Sequence, residues 1–549
     1  MKKNMKIVIV CLCIMGMLAG CKESGYSQVG SGVLKEEAKP KVFEGVTEIA
    51  LSDEGITVDG EAVSEDASAP VYVAKDIVFY LAGQGFTYGE GEEKDEHTQS
   101  EADKHTVVHI TKPGTYAVTG TLSAGQIAVD LGKDAKEDPQ AVVTLIMNNA
   151  EITCSVAPAV IFYNVYECSG DDKDNPTKDV DTSAAGANVL IADGTYNTVN
   201  GSYVARIYKS YELSEDGTEV VDSKKLHKYD AAFYSKMSMN VNGDEEGTGV
   251  LEINAKNEGL DSELHLTING GNIKITSGND GINTNEDGVS VTTVNGGTLE
   301  IAVDGSTGEG DGIDSNGWLV INGGTVVSYA CGFSGDAGID SDMGIHINGG
   351  TVVATGNMLD RIGESQQNYA VFSFSSGQNG GKDIILKDAD DKEVGKWATV
   401  NDYSYLIVSG DFLKEGTYTL WIDGEQYAGA SGNQGRGFGG GMGGMNFGGK
   451  DGDFKLEEGQ RPMMPEGMTP GEMPEGEMPE IPEGMTPGEM PEMPEEMMPG
   501  EMPEIPEGAQ AGRGGFGGRG PMNQATGELS KEFTITAGGN YFNGVSGTM

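Results

Sequence analysis

Basic side chains are scarce in this chain of 549 residues: 36 lysines and arginines stand against 86 aspartates and glutamates, a formal charge of −50. A polyanion of that size excludes nucleic acid and an anionic membrane surface as partners, and leaves cations and neutral molecules. There are six histidines, none at metal-ligand spacing, and neither a nucleophile triad nor a pair of glycosidase carboxylates can be assigned. Beyond the N-terminal leader no apolar run is long enough to span a bilayer. Cysteine is equally sparse. Cys11 and Cys13 fall in the leader and Cys21 ends it, so Cys154, Cys168 and Cys331 remain. One disulfide at most can form among those three, with Cys154 and Cys168 the favoured pair and buried thiols the alternative.

The leader has a basic start at Lys2, Lys3 and Lys6, an apolar run from Ile7 to Leu18, and then Leu18-Ala19-Gly20-Cys21, which reads as a bacterial lipobox. Residues 1–20 are therefore expected to be a lipoprotein signal peptide. Cys21 becomes the lipidated first residue, holding the chain extracytoplasmically on the bacterial membrane, at the cell surface. Residues 21–45 are polar and read as a tether.

What the chain has in abundance is recurrence. A turn Asn-Gly-Gly returns at Asn269, Asn295, Asn322 and Asn348. Between the turns a second signature returns as Gly259-Leu260-Asp261-Ser262, Gly281-Ile282-Asn283-Thr284, Gly312-Ile313-Asp314-Ser315 and Gly338-Ile339-Asp340-Ser341. A period of this length, without 3.6-residue apolar spacing, is too short for a helical hairpin and predicts stacked coils with two corners each. The fold class expected is all-β: a parallel β-helix over residues 46–369, closed by a β cap over 370–430 that covers its last strand edges. Residues 431–526, rich in Gly, Met, Pro and Glu, have no core to contribute and read as a long disordered insert. Residues 527–549 return one last strand to the cap.

Alternation along the strands assigns Leu260, Ile282, Ile313, Ile339, Leu266, Ile268, Ile273 and Ile275 to the interior. It points Asp261, Asn283, Asp314 and Asp340 outward in one column, and Glu263, Asn285, Asn316 and Asp342 in another. Carboxylates stacked about 4.8 Å apart repel by roughly 3 kcal/mol at an effective dielectric of about 20, so a cation is called for. An all-oxygen set suits calcium; the alternative is that these residues only satisfy turns as solvated ladders. On the same reading Trp318 and Tyr329 face outward, with Trp318 over Gly344, and Tyr234 is a weaker companion. Exposed aromatics can stack on sugar rings, unless an excursion covers them.

Five elements in fixed order carry a resemblance: His109-Ile110-Thr111-Lys112-Pro113-Gly114-Thr115-Tyr116 with Gly120-Thr121-Leu122, then Leu145-Ile146-Met147-Asn148-Asn149-Ala150, Ala192-Asp193-Gly194-Thr195, Asp230-Ala231-Ala232-Phe233, and the Asn-Gly-Gly rungs. From Val46 to Ala430 the chain resembles the bacterial carbohydrate-binding domain-containing family, a right-handed parallel β-helix similar to polysaccharide lyases. The resemblance implies polysaccharide as partner, with cellulose-like or acidic pectic glycans as ligands, and bound calcium. It brings no catalytic residue with it. A calcium-assisted lyase needs an Arg or Lys base beside the metal. Arg361, which local Asp360 or Glu364 would otherwise pair, and Lys236, placed one rung before Asp261, are the weak candidates. The reading is a binding protein, with a lyase on uronate polymers and a structural or adhesive surface protein working through its insert as alternatives.

Overall fold

The structure, a computed structural model, describes residues 33–170, 173–432 and 528–547. Cys21, the signal peptide and all but the first two residues of the 431–526 insert lie outside the described residues.

Three ladders of parallel strands dominate a mainly β architecture. The first contains Ala187–Ile191, Met239–Gly243, His265–Ile268, Val291–Val294, Trp318–Ile321 and Gly344–Ile347, each in register with the next. The second contains Tyr196–Gly201, Val250–Ala255, Asn272–Ser277, Thr298–Val303, Thr325–Tyr329 and Thr351–Gly356. Val143–Thr153 serves both, and is itself preceded in parallel pairing by Gly114–Leu122 and Thr47–Leu51. The third runs from Thr106–Ile110 through Gly125–Asp130, Val160–Asn164, Ala231–Ser235, Glu258–Ser262 and Ile282–Thr284 to Ile313–Ser315. The chain visits the third, first and second ladders in turn, so each coil has three strands where the sequence pattern suggested two. The bend at Ser262–Leu264 is short enough to hide in the pattern.

Leu260, Ile282, Ile313, Ile339, Leu266, Ile268, Ile273 and Ile275 are all within 2% of complete burial. Side chains of this size contribute about 1.5–3 kcal/mol each when removed from water, which is why the apolar parity fixes the register of every rung. The second ladder begins where Asn-Gly-Gly ends. The last glycine of each turn has a left-handed backbone: φ is +88° at Gly271, +80° at Gly297, +77° at Gly324 and +80° at Gly350. A Cβ at Gly297 would lie 2.5 Å from the carbonyl oxygen of Gly271 one rung away. The repeat is thus written in glycine because the turns stack backbone on backbone.

From Tyr369 the pairing changes sense. Tyr369–Gln378 runs antiparallel to Tyr403–Ser409, which also pairs antiparallel with Thr351–Gly356 at the end of the second ladder. Phe372, Phe533 and Phe542 pack ring on ring in a separate core that also holds Trp397. Gly539–Gly547 bonds to both Tyr369–Gln378 and Glu425–Gly432, and Gly429 bridges Ser530, so the segments on either side of residues 433–527 are bonded to each other.

Two expectations are corrected here. Residues 33–45, read as tether, lie against the coils: Val33 donates to the Thr248 carbonyl, Lys41 forms a 2.5 Å ion pair with Asp244, and Phe43 packs on Ala117, Ile146 and Ala192. Cys154 and Cys168 are not bonded to each other. All three described cysteines are free thiols, and burial pushes that of Cys154 up to about 12. Between the coils an antiparallel hairpin of Val204–Leu213 with Val220–Tyr229 stands out as an excursion.

Candidate metal and carbohydrate site

Acidic side chains collect along the third ladder in two groups. In the first, carboxylate oxygens of Asp230, Glu258 and Asp261 lie within 4.8 Å of one another, all buried. Burial, then mutual repulsion, pushes Glu258 and Asp261 well above the usual carboxylate range. One cation is already resident: Lys228 pairs with Asp230 at 2.7 Å. Asn285 donates its amide to both oxygens of Asp261 at 2.9 Å, and Asn283 donates to Glu258 at 3.2 Å. Glu258 Oε2 and Asn283 Oδ1 are buried without a hydrogen-bond partner.

In the second group, Asp311, Asp314 and Asp340 meet within the same distance, half-buried. Burial and acidic neighbours push Asp314 up to about 7 and Asp340 up to about 8. Asp280 beside them, also mainly through burial, is raised to about 7 while accepting the Asp311 backbone N–H at 2.7 Å. Asp360 adds a further carboxylate against Asp340 and accepts the N–H of Ser341 at 3.2 Å. Among the described residues no lysine or arginine forms an ion pair with Asp311, Asp314 or Asp340. The donor set is oxygen only, which suits a hard cation such as calcium.

The structure brings Asp314 and Asp340 together and separates them from Asp261. Asn283 and Asn285 serve as amide donors to the first group. Glu263 is engaged by Lys225 of the hairpin at 2.9 Å and by the hydroxyl of Tyr234. Asn316 donates to the Asn285 carbonyl at 3.0 Å, and Asp342 is exposed. Three acids escaped the sequence reading: Asp230, Glu258 and Asp311. A signal existed, since an acid precedes the repeated glycine at Glu258, Asp280 and Asp311. It was missed because that acid stands at the corner where the strand begins, and strict alternation does not carry back to it.

The aromatic expectations divide. Tyr234 is buried, with its ring against Tyr229 of the hairpin. Tyr329 is buried too, its hydroxyl donating to the Ala398 carbonyl at 2.7 Å. Neither can stack on a sugar from outside; excursions that no single rung foretells cover both. Trp318 is half-buried and pairs in register with Gly344. No atom lies within 4 Å of where a Cβ on Gly344 would stand, so the indole does not lie over that glycine.

The weak catalytic candidates also move. The register sets Tyr234, not Lys236, one rung before Asp261. Arg361 is exposed and forms no ion pair with Asp360 or Glu364, the partners expected for it.

These features together make the chain a mainly β protein of long parallel ladders with an acid-lined rib. A family model described as carbohydrate-binding domain-containing protein matches residues 104–392, and the chain belongs to that family. It is also similar to a carbohydrate-binding domain-containing protein of Acetivibrio thermocellus, 29% identical over 169 residues. That match covers 31% of this chain and 44% of the relative, so the chain spans less than half of the relative's length. A solved polysaccharide lyase-like protein from C. thermocellum, a gadolinium derivative, aligns over 55% of this chain and 90% of its own at 19% identity and a TM-score of 0.29.

Proposed function

We propose that this protein is a lipid-anchored, extracytoplasmic polysaccharide-binding protein whose coils form a right-handed parallel β-helix stabilised by calcium, and that it holds glycan without cleaving it. The observation that carries the metal part is the Asp311, Asp314 and Asp340 group: three carboxylates within 4.8 Å and no cationic side chain paired with them among the described residues. Carbohydrate binding is what membership of the family implies. Cellulose-like and acidic pectic glycans are the proposed ligands, the second held through bridging metal because the chain itself is a polyanion. The division into coils over 46–369, cap over 370–430 with 527–549, and an insert between them belongs to the same proposal.

The test is affinity electrophoresis in gels containing cellulosic or pectic polysaccharide, with calcium and with chelator, beside an assay for unsaturated sugar ends. Retardation without new unsaturated ends is expected. Failure to be retarded by any glycan would return the function to the insert, as a structural or adhesive protein.

One observation favours the lyase as second reading. Arg361 is exposed, lacks an ion pair and follows Asp360, which borders the acid group. Release of unsaturated ends that Arg361→Ala abolishes would promote that reading over binding alone.

The anchor has its own test. Cys21→Ala removes the thiol that a lipobox acylates, so the variant should accumulate as uncleaved precursor without labelled fatty acid. Continued acylation would remove the membrane from the proposal.

A further inference from the structure

On the first ladder, away from the acids, four asparagines of the turns join a hydrogen-bonded file with Asn242. Asn269 donates to Asn242 at 3.0 Å, Asn295 to Asn269 at 2.9 Å, Asn322 to Asn295 at 3.0 Å and Asn348 to Asn322 at 2.9 Å. Each interior amide spends one N–H and one carbonyl lone pair on its neighbours. It keeps one donor and one acceptor free, repeated at the rung spacing of about 4.8 Å. Asn269, Asn295 and Asn322 are exposed.

The file borders a groove of about 550 Å³. Its floor is Thr267, Thr293 and Val320, the outward residues two positions before each asparagine. Its opposite wall is the segment 178–183. That wall is fixed to the ladder: Thr182 bridges the Asn240 amide oxygen at 2.7 Å and the Thr267 hydroxyl at 2.6 Å, and its carbonyl accepts from Asn240 at 2.8 Å. The charges in the wall are engaged locally. Lys178 pairs with Asp179 at 2.8 Å, and Asp181 accepts the Ser183 N–H at 2.9 Å. Floor and file carry no ionisable group. Trp318, two residues before Val320 on the same strand, projects from the same side by alternation, and the space beside it at Gly344 is open.

We infer that this groove is a metal-independent site for a neutral β-linked glycan running along the asparagine file, with Trp318 as a stacking platform at its edge. Sugar hydroxyls both donate and accept, which matches the free half of each amide. One rung is close to the length of one β-linked pyranose residue, so successive sugars meet successive amides. The volume accommodates a short oligosaccharide rather than a whole chain. A uronate polymer is disfavoured because nothing in the floor or file offers it a cation. This inference rests on the proposal that the protein binds polysaccharide, and adds to it a site for the neutral, cellulose-like ligand.

Titration calorimetry of the full-length chain with cellohexaose, in calcium and in chelator, tests it. Binding should persist in chelator. Thr293→Trp, which fills the floor, should weaken it at least tenfold, and Thr293→Ser should leave it within threefold. Asn322→Asp, at an exposed position, should weaken it several-fold by placing a charge in the file. It stands as the independent check if Thr293→Trp loses its melting transition. Cellohexaose affinity unchanged in both Thr293→Trp and Asn322→Asp would overturn the site. Calcium-dependent retention of polygalacturonate with no binding of cellohexaose would overturn it too, while leaving polysaccharide binding standing. Retention of neither glycan would remove both.

Discussion

Calcium is expected to raise the melting temperature of the metal-free chain, by an amount equivalent to about 2.7 kcal/mol at a hundredfold excess over its dissociation constant. The reason is the Asp311, Asp314 and Asp340 group, where three carboxyls share a space too small for three unscreened charges. Without metal these groups keep protons. Asp314 is held at about 7 and Asp340 at about 8, against an ordinary 3.8 in the unfolded chain. Between about pH 4 and about pH 8 the folded state therefore binds more protons than the unfolded state, and metal-free stability falls as pH rises through that window. In chelator the protein should melt several degrees lower at pH 8 than at pH 6. Calcium should remove most of that difference, because it binds the ionised carboxylates and releases their protons. Magnesium should substitute poorly, since it demands a tighter octahedral set. Asp314→Asn or Asp340→Asn relieves the repulsion and deletes a ligand, so each should flatten the pH dependence and shrink the response to calcium. A metal-free melting temperature that does not change between pH 6 and pH 8, together with no calcium uptake by calorimetry, would leave the acids as solvated ladders.

The acids also mark where sequence reasoning reached its limit. Interior positions such as Ile282 and Ile313 were legible because one parity rule governs every strand and burial enforces it. The same rule found Asp314 and Asp340. It failed for Glu258 and Asp311, which stand at corners, and for Tyr234 and Tyr329, which alternation points away from the interior but which other segments bury. The hairpin 204–229 and the strands beyond Tyr369 cover those two rings, and nothing within a single rung encodes what folds across it. Trp318 alone of the three aromatics stays half-buried rather than buried. The asparagines of the turns were read as punctuation. Their second role, a continuous file of amides, needs the register between rungs, which a one-dimensional period implies but does not display.

That stacking makes the turn glycines sensitive to substitution. Gly297→Ala is expected to cost about 3 kcal/mol or more, from two sources. An L-residue at φ +80° loses about 1–2 kcal/mol on its own. The added methyl would also lie 2.5 Å from the Gly271 carbonyl oxygen and 2.8 Å from the Gly270 carbonyl carbon, both backbone atoms of a neighbouring rung that cannot rotate away. Gly288→Ala separates the two sources, because Gly288 has φ +69° with nothing within 4 Å of the new methyl. It should lose only the conformational part, about 1 kcal/mol. Melting and limited proteolysis of the two variants in calcium give the comparison, with new cleavage expected near residues 270–300 in Gly297→Ala alone. Equal losses in both would mean that the turns do not bear on one another, and that the 26-residue spacing of Asn269 and Asn295 reflects repeated strands rather than stacked corners.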